Sequence, residues 1–239
     1  MKIIDSVWEK ENLGVTSKEI VIEINDDASE VSQVLNSFDE QYIVLKIPSG
    51  KSDIMRIANE LGYCFIEDII EVEHDLHEVK RNKILQRLYD SLTYRLMETE
   101  DIDNLYNEIS KGMFTNDRIS NDPIFSIELS ARRYKNWIKS LINEGALPYV
   151  MSYKEEPAGF IILTTKDKVT YYSVLGGGYE KFRNTGLGMV QKEQEIVKKL
   201  GGKCVTTNVS SNNVSQIKAL LANGYTFSKI DHVYVKHNL

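Results

Sequence analysis

The amino-acid sequence predicts an α/β (α+β) protein: a mixed, mostly antiparallel sheet flanked by helices, preceded by a small α/β N-terminal domain. In residues 19–72, short apolar runs rich in β-branched residues alternate with segments of helical periodicity. From residue 93 onwards, strand-like runs follow one another through polar turns. A glycine-bearing turn at residues 183–188 then joins such a strand to a helix. We place the boundary between two domains after residue 90, giving units of 1–90 and 91–239.

The N-terminal domain is predicted from three strand-like and two helix-like segments. The strands lie at residues 19–24, 42–47 and 63–72, and the helices at 27–38 and 52–61. Pro48 and Gly50 end the second strand, and Gly62 ends the second helix. Because its glycines are isolated, we expect no phosphate-binding loop in this domain. A basic-leaning linker helix at residues 78–90 completes this unit.

The C-terminal domain is predicted to contain six strands and four helices. The strands lie at residues 93–96, 148–153, 158–163, 169–175, 204–209 and 225–234, and the helices at 101–110, 127–143, 189–200 and 214–223. The third helix has apolar residues on one face with Lys and Glu opposite, and the fourth is expected to bury Val214, Ile217, Leu220 and Leu221. Residues 114–125 are polar and contain a proline, which is typical of a loop.

Composition and charge limit the classes of function. The chain of 239 residues is 42% hydrophobic and 27% charged, as in an ordinary globular protein. A net charge of −6 gives no support to general nucleic-acid binding. The apolar runs are too short to span a bilayer, and the N-terminus lacks an apolar signal core. We therefore expect a cytoplasmic protein without a nucleic-acid or membrane partner.

The cysteines and histidines give no sign of a disulfide or a metal site. Cys64 and Cys204 fall in predicted strands far apart in the sequence, and we expect both to be buried, reduced thiols. The histidines do not follow a metal-ligand spacing, and we assign them to the surface or to packing; they are His74, His77, His232 and His237.

The glycine-bearing turn is the strongest functional signal. Arg183 to Gly188 has the form R-x-x-G-x-G and lies between a strand and a helix. Such a turn presents free backbone N–H groups and the positive end of a helix to an anion, so a phosphate would fit there. It lacks the Lys-Ser/Thr ending of a P-loop and the three-glycine spacing of a dinucleotide site. The pattern therefore favours neither a nucleoside triphosphate nor a dinucleotide.

Together with Asn213 and the Gly224-Tyr225 pair, this turn resembles the Gcn5-related N-acetyltransferase (GNAT) superfamily over about residues 93–237. The resemblance implies an acetyl-CoA-dependent N-acetyltransferase, in which a small-molecule amine attacks the thioester directly. It also implies a set of residues that contact the coenzyme: Gly176, Gly178, Arg183, Asn184, Thr185, Gly186, Leu187, Gly188 and Asn213.

Two of these positions fall in a run of three glycines. In the family, the acetyl carbonyl and pantetheine contacts lie seven and five residues before the motif arginine, which are Gly176 and Gly178 here. Glycine would allow the thioester to approach the backbone closely. The run would equally suit a β-bulge. Both interpretations are kept open.

The sequence departs from the family at two catalytic positions. Leu220 stands where the family has a tyrosine that protonates the departing thiolate, and leucine has no proton to donate. Tyr172 stands where the family often has a glutamate base, and a phenol with a pKa near 10 is a poor base at neutral pH. The acid then comes from elsewhere, such as a nearby tyrosine or water, or the substrate chemistry differs, or activity has been lost. Tyr172 is the catalytic candidate, with a role as a wall of the site favoured.

A narrower resemblance concerns the acceptor. The Trp8–Val15 segment, the small α/β module, the 122–126 loop and the Tyr134/Trp137 pair are similar to the TDP-fucosamine acetyltransferase group. That group acetylates a nucleotide-linked amino sugar, which becomes one candidate acceptor, expected between the 114–125 loop and the N-terminal domain. The alternatives are another amine, a protein N-terminus, or a coenzyme A-binding protein without transferase activity. Assembly as a homodimer is left open.

Overall fold

A computed structural model describes residues 1–78, 83–183, 185 and 187–238 of the chain. Ten strands within these residues form a single sheet. They are β1 (Lys2–Asp5), β2 (Ser17–Val21), β3 (Tyr42–Pro48), β4 (Cys64–His74), β5 (Leu92–Leu96), β6 (Leu147–Tyr153), β7 (Glu156–Thr165), β8 (Thr170–Gly178), β9 (Cys204–Ser210) and β10 (Thr226–His237).

Nine α-helices flank this sheet in the part of the chain that is described. They are α1 (Val7–Leu13), α2 (Ala28–Leu35), α3 (Ser52–Glu60), α4 (Lys83–Asp90), α5 (Thr99–Ser110), α6 (Arg118–Asn121), α7 (Ile127–Asn143), α8 (Met189–Lys199) and α9 (Val214–Ala222). A short 3-10 helix occupies Glu180–Phe182. Among the described residues, no helix combines the length and apolar character needed to cross a bilayer.

The sheet is mixed and mostly antiparallel, as predicted. Its strand order is β1-β2-β3-β10-β4-β9-β8-β7-β6-β5, and the parallel pairs are β2 with β3 and β8 with β9. The last strand lies between β3 and β4, so that Val235 pairs with Val44 on one side and Cys64 on the other. One sheet therefore runs through both halves of the chain. The division into units of 1–90 and 91–239 stays a prediction.

Three elements lie where no helix or strand was predicted. β1 and α1 occupy the first thirteen residues, and α6 interrupts the segment predicted to be a loop. α6 forms because the Asp117 carboxylate accepts a hydrogen bond from the Ser120 N–H at 2.7 Å, which caps the helix start. The predicted helix at residues 78–90 is described from Lys83 onwards, and residues 79–82 lie outside the described residues.

Separate apolar clusters cover the sheet on its two faces. α8 and α9 pack on one face through a cluster that includes Ile196, Val197 and Leu220, all at most 1% exposed. α5 and α7 cover the opposite face of β6 to β8 through Leu105 and Ile138. In the N-terminal half, α2 and α3 pack on one face and α1 and α6 on the other. Burial of this apolar surface is the main favourable contribution to folding.

α8 also buries polar residues that lie outside its predicted apolar face. Its consecutive residues Gln191, Lys192, Glu193 and Gln194 are each at most 7% exposed. The reason is that α8 is enclosed on several sides: Lys192 lies over the Tyr89 ring of α4, and Gln194 donates to the Asn223 carbonyl at the end of α9. In α9, by contrast, two residues that were predicted to be buried, Val214 and Leu221, are exposed.

The two cysteines are free thiols, and the prediction that both are buried is wrong. Cys64 is exposed at the start of β4, and Cys204 is half-buried at the start of β9. Burial raises the pKa of the Cys204 thiol, so it is less readily ionised than an exposed cysteine. The cytoplasmic location and the homodimer stay predictions.

Candidate active site

The sheet opens between β8 and β9. These parallel strands pair from Thr170 with Cys204 to Ser173 with Thr207, and the pairing ends there although both strands continue. At the last pair, the Thr207 hydroxyl donates to the Ser173 carbonyl at 2.8 Å. On its other edge β8 has an irregularity at Val174, between the residues that pair with Ile162 and Leu163 of β7. A bulge increases local strand twist, which accounts for the divergence of β8 from β9.

A cavity of about 440 Å³ lies at this opening. Its inner end is lined by residues of β8, β9, α8 and α9, and its outer end by residues of α1, β4, α6 and α7. The volume falls in the usual range for small-molecule sites, roughly 300–1,000 Å³. The inner lining includes Tyr172, Ser173, Gly176, Glu193, Thr207, Asn213 and Leu220, and the outer lining Glu9, Glu67, Asp117, Arg118, Arg133 and Trp137.

Beside the opening, a turn leads from β8 into α8. Gly188 caps the helix in a left-handed conformation, with φ of 76°, and a Cβ atom there would lie 2.3 Å from the Gln191 side-chain oxygen. Glycine adopts this positive φ without strain, whereas a larger residue would be strained and would also displace the end of the Gln191 side chain. The first N–H groups of α8 have no partner within the helix, and the helix dipole adds positive potential. This helix start can therefore bind an anion such as a phosphate.

The remaining turn residues anchor the loop. Leu187 is 5% exposed and packs with Leu88 and Phe182. The Thr185 hydroxyl donates to the Phe182 carbonyl at 2.7 Å, so that side chain stabilises the turn itself. Arg183 is exposed and donates to the Gly112 carbonyl at 3.3 Å, which keeps its guanidinium at the surface. Asn184 and Gly186, predicted to contact the coenzyme, lie outside the described residues.

The glycine run of β8 has a regular register. Gly176 and Gly178 pair with Ile161 and Gly159 of β7, and the register irregularity comes earlier, at Val174. Gly176 lines the cavity. Gly178 lies against Met189 at the start of α8, and a Cβ on its partner Gly159 would approach the Met189 sulfur to 2.6 Å. The paired glycines thus let the start of α8 lie close to the sheet.

Asn213 and Leu220, from α9, both line the cavity. Asn213 is the N-cap of α9, and its side-chain oxygen accepts from the Gln216 N–H at 3.2 Å. Leu220 is 1% exposed and belongs to the cluster between α9 and the sheet. The position predicted for a proton donor is therefore an apolar wall.

Tyr172 lines the cavity from β8, as expected for a wall of the site. Burial, and then the nearby Glu71 carboxylate, raise the pKa of its phenol. Phenolate at this position is thus scarcer at neutral pH than in an exposed tyrosine. The electrostatics count against Tyr172 as a base, although its catalytic role stays a prediction.

Glu193 is a titratable residue of the cavity that sequence reasoning missed. One carboxylate oxygen accepts from the Tyr225 hydroxyl at 2.5 Å, and the other accepts from the Ser173 hydroxyl at 3.3 Å. Burial raises the pKa of this carboxyl to about 7, against the two hydrogen bonds, which lower it. A signal was present in the sequence, because Glu193 lies three and four residues before Ile196 and Val197, on the buried stripe of α8.

The outer end of the cavity joins the N-terminal half to α6 and α7. The Glu9 carboxylate accepts from Arg118 at 2.5 Å and from Arg133 at 2.6 and 2.8 Å. These contacts hold the pKa of Glu9 below its ordinary value despite burial. The Arg133 guanidinium also lies over the Trp8 and Trp137 rings, at 5.1 and 5.9 Å from their centroids. The structure thus places Trp8 and Trp137, two residues that the narrower resemblance singled out, against the same guanidinium.

The histidines form contacts of their own. His232 and His237 approach the carboxylates of Asp68 and Asp122 at 2.7 and 2.8 Å. Among the described residues, one group has the proximity needed to hold a metal ion: His74, Asp75 and His77, whose ligand atoms lie within 4.8 Å of one another. This turn was not predicted from spacing. The His74 Nδ1 atom already accepts from the Leu76 N–H at 2.9 Å.

Comparison with known proteins gives a fold. The sequence matches no protein-family model, and no curated protein shows significant sequence similarity to it. Among solved structures, a Gcn5-related N-acetyltransferase from Sphaerobacter thermophilus aligns with a TM-score of 0.57 and 14% identity, over 82% of this chain and 60% of that one. The protein has the GNAT fold.

Two further structures are similar. A conserved protein of unknown function from Staphylococcus epidermidis aligns with a TM-score of 0.61 and 14% identity, over 94% of this chain and 85% of that one. The glucosamine N-acetyltransferase region of a fungal multi-domain β-N-acetylglucosaminidase aligns with a TM-score of 0.60 and 12% identity, over 82% of this chain and 25% of that one. In this GNAT fold, Gly176 and Asn213 line the cavity, and the other described residues predicted to bind coenzyme lie in or beside the turn.

Proposed function

We propose that the protein is an acetyl-CoA-dependent N-acetyltransferase that acts on the primary amine of a small molecule. The observation that carries this proposal is the opening between β8 and β9 beside the first turn of α8, in a chain with the GNAT fold. Coenzyme A needs both features: an anion site for its pyrophosphate and a slot for its extended pantetheine arm. The cavity that adjoins this slot has room for an acceptor.

The residues present fit the coenzyme. The first-turn N–H groups of α8 would hold the pyrophosphate, with Gly188 permitting close approach, and the exposed Arg183 adds a cation nearby. The edges of β8 and β9 beyond Ser173 and Thr207 offer backbone groups that an extended chain can pair with. When bound, acetyl-CoA supplies the acetyl thioester. A backbone N–H group near Gly176 would polarise the carbonyl of the thioester.

Glu193 supplies the proton that Leu220 cannot. Its carboxyl lies in the same cavity, and with a pKa of about 7 it is about half protonated at neutral pH. In the protonated form it donates to the Ser173 hydroxyl, which in turn can donate to a thiolate in the slot. The thiolate then gains one proton and Glu193 becomes a carboxylate. The proton released by the attacking amine passes to solvent, from which Glu193 is reprotonated.

A coenzyme A-binding protein without transferase activity is the second candidate. It is favoured by one observation, the apolar and fully packed Leu220 at the position of the family's proton donor. Within the enzyme class, an amino sugar is a reasonable acceptor, since one neighbour of the same fold is described as a glucosamine N-acetyltransferase region. A nucleotide-linked amino sugar, another amine or a protein N-terminus are the other acceptors to be tested.

Binding and turnover separate these candidates. Acetyl-CoA is titrated into the protein by calorimetry, and release of free thiol is then measured with a panel of amines. The transferase predicts saturable binding, followed by thiol release with at least one amine. Binding with no thiol release on any amine would support the second candidate. Absence of binding would contradict both.

A further inference from the structure

The outer end of the cavity is lined by acidic and basic side chains, and each basic side chain is ion-paired with a carboxylate. Lys46 pairs with Glu19 at 2.7 Å, and Arg118 and Arg133 both bind the Glu9 carboxylate. These three are the basic residues of the cavity lining among the described residues. The lining also contains Glu67 and Asp117. Four carboxylates therefore face three cations at this end, and each cation has a carboxylate partner, although the buried Nε atom of Arg118 has no hydrogen-bond partner among the described residues.

Glu67 is the unusual member of this lining. It is 3% exposed, and its Oε2 atom accepts no hydrogen bond from any described residue. Its partner across the sheet, Val233 of β10, also lines the cavity, so the carboxylate is on the cavity face of β4. Burial raises its pKa, although the Ser210 hydroxyl and the Arg118 N–H lie close enough to lower it in part.

A buried carboxylate oxygen without a donor is costly for a folded protein, so one that faces a cavity is placed to accept a hydrogen bond from a bound ligand. Asp117, next to Arg118 in sequence, likewise has a buried oxygen, Oδ2, with no hydrogen-bond partner in the described part of the chain. The Tyr134 hydroxyl lies near this carboxylate, which helps to raise the pKa of the phenol. Each of these carboxylates thus has one buried oxygen that can accept a further hydrogen bond.

We infer that this end of the cavity binds the acceptor, and that the acceptor is a phosphate-free amine carrying further hydrogen-bond donors, which Glu67 and Asp117 accept. The inference rests on the proposed acetyltransferase function and narrows it. A free amino sugar or a diamine has such donors. A nucleotide-linked amino sugar would place a diphosphate against carboxylates and paired cations, where like charges repel.

The test compares matched acceptors that differ in one group. D-Glucosamine is compared with glucosamine 6-phosphate and with a nucleoside-diphosphate amino sugar, and 1,4-diaminobutane with butylamine. Binding of each is measured by calorimetry to the protein saturated with coenzyme A, and thiol release is measured with acetyl-CoA. We expect D-glucosamine to bind about tenfold more tightly than either phosphorylated sugar, and 1,4-diaminobutane about tenfold more tightly than butylamine. A tenfold change in Kd corresponds to about one charge-assisted hydrogen bond.

The variant Glu67→Gln keeps the shape of the side chain and removes the charge. We expect about tenfold weaker acceptor binding with unchanged acetyl-CoA binding. The midpoint temperature of thermal unfolding should not fall, because the substitution removes a buried charge that has no partner on one of its oxygens. Glu73→Gln, an exposed residue of the same strand, is the matched control and should change neither.

The outcomes distinguish the inference from the function on which it rests. Tighter binding of the phosphate esters, or unchanged acceptor binding in Glu67→Gln, overturns the inference even if amines are acetylated. If none of the amines causes thiol release, but phosphate-free amines bind in a way that depends on Glu67, the transferase proposal fails and the inferred binding site stands. Failure of every phosphate-free amine to bind overturns the inference.

Discussion

Replacing Glu193 by glutamine tests the assignment of the proton donor. Glutamine has nearly the same shape and can still accept from the Tyr225 hydroxyl, but it has no proton to transfer to Ser173. Loss of a positioned general acid typically lowers kcat by about 10²–10⁴-fold. We therefore expect kcat to fall by that factor while the Kd for acetyl-CoA is unchanged, because glutamine keeps the shape of the side chain and its hydrogen bond from Tyr225.

The pH profile gives a second and sharper expectation. Since the pKa of Glu193 is about 7, wild-type kcat should decline above neutrality by about tenfold for each pH unit. The Glu193→Gln variant should not show this decline above neutral pH. Glu195→Gln, in the same helix, is the matched control: ion pairing with Lys192 and hydrogen bonds hold the pKa of Glu195 at about 2, so its charge does not change across the same range.

Stability provides a readout that does not depend on turnover. The folded protein keeps the Glu193 proton up to about pH 7, whereas the unfolded chain loses it near 4.5. The unfolding free energy of the wild type therefore falls as pH rises between these values, by about 3 kcal/mol for this group. Because the Gln variant has no such proton, its stability relative to wild type should rise by that amount between pH 4 and pH 8.

The measurements are steady-state thiol release from pH 5.5 to 9 and urea unfolding at several pH values. A Gln variant with kcat within about threefold of wild type and an intact decline above neutrality would refute the catalytic assignment. If the relative stability does not change with pH, the pKa itself is wrong. The two results are independent, so a purely structural role for Glu193 would show in stability alone.

Three further changes test the slot and the turn. In Gly188→Ala, the positive φ and the 2.3 Å approach to Gln191 should cost about 1–2 kcal/mol of stability and weaken acetyl-CoA binding, measured by thermal unfolding and calorimetry; unchanged binding would exclude the turn from the site. Thr207→Val removes the hydrogen bond to Ser173 and should cost about 1 kcal/mol, with a higher KM for acetyl-CoA. Tyr172→Phe should leave kcat within about threefold, since a phenol with a raised pKa is not the base; a larger loss would assign it a catalytic role.

The sequence predicted local features of the fold well. α7 begins and ends at the predicted residues, because the Ser126 side chain caps its start and Gly145 takes a left-handed conformation just beyond its end. The strand that leads into the glycine turn and the helix that follows it were also predicted. These elements are determined by periodicity and by turn residues that act over a few positions.

The features that were missed depend on distant parts of the chain. β10 lies between β3 and β4, a pairing of residues more than 150 positions apart that no local pattern encodes. The polar residues of α8 are buried because α4 and α9 enclose the helix, whereas periodicity reports only the face toward the sheet. The irregularity at Val174, which accounts for the opening between β8 and β9, is visible only in the structure.

Two groups that can carry a proton, Tyr225 and Glu193, lie near Leu220, although leucine itself cannot donate one. Tyr225, just past the end of α9, donates its N–H to the Leu220 carbonyl at 3.2 Å and its hydroxyl to Glu193 at 2.5 Å. A tyrosine thus reaches this region from five residues further along the chain, but burial and the Glu193 carboxylate keep the pKa of its phenol well above the ordinary value. Such a phenol is a weak acid at neutral pH. Glu193, with a pKa of about 7, is both protonated and acidic enough, so the proton is expected to come from the carboxyl, and Tyr225 to orient it.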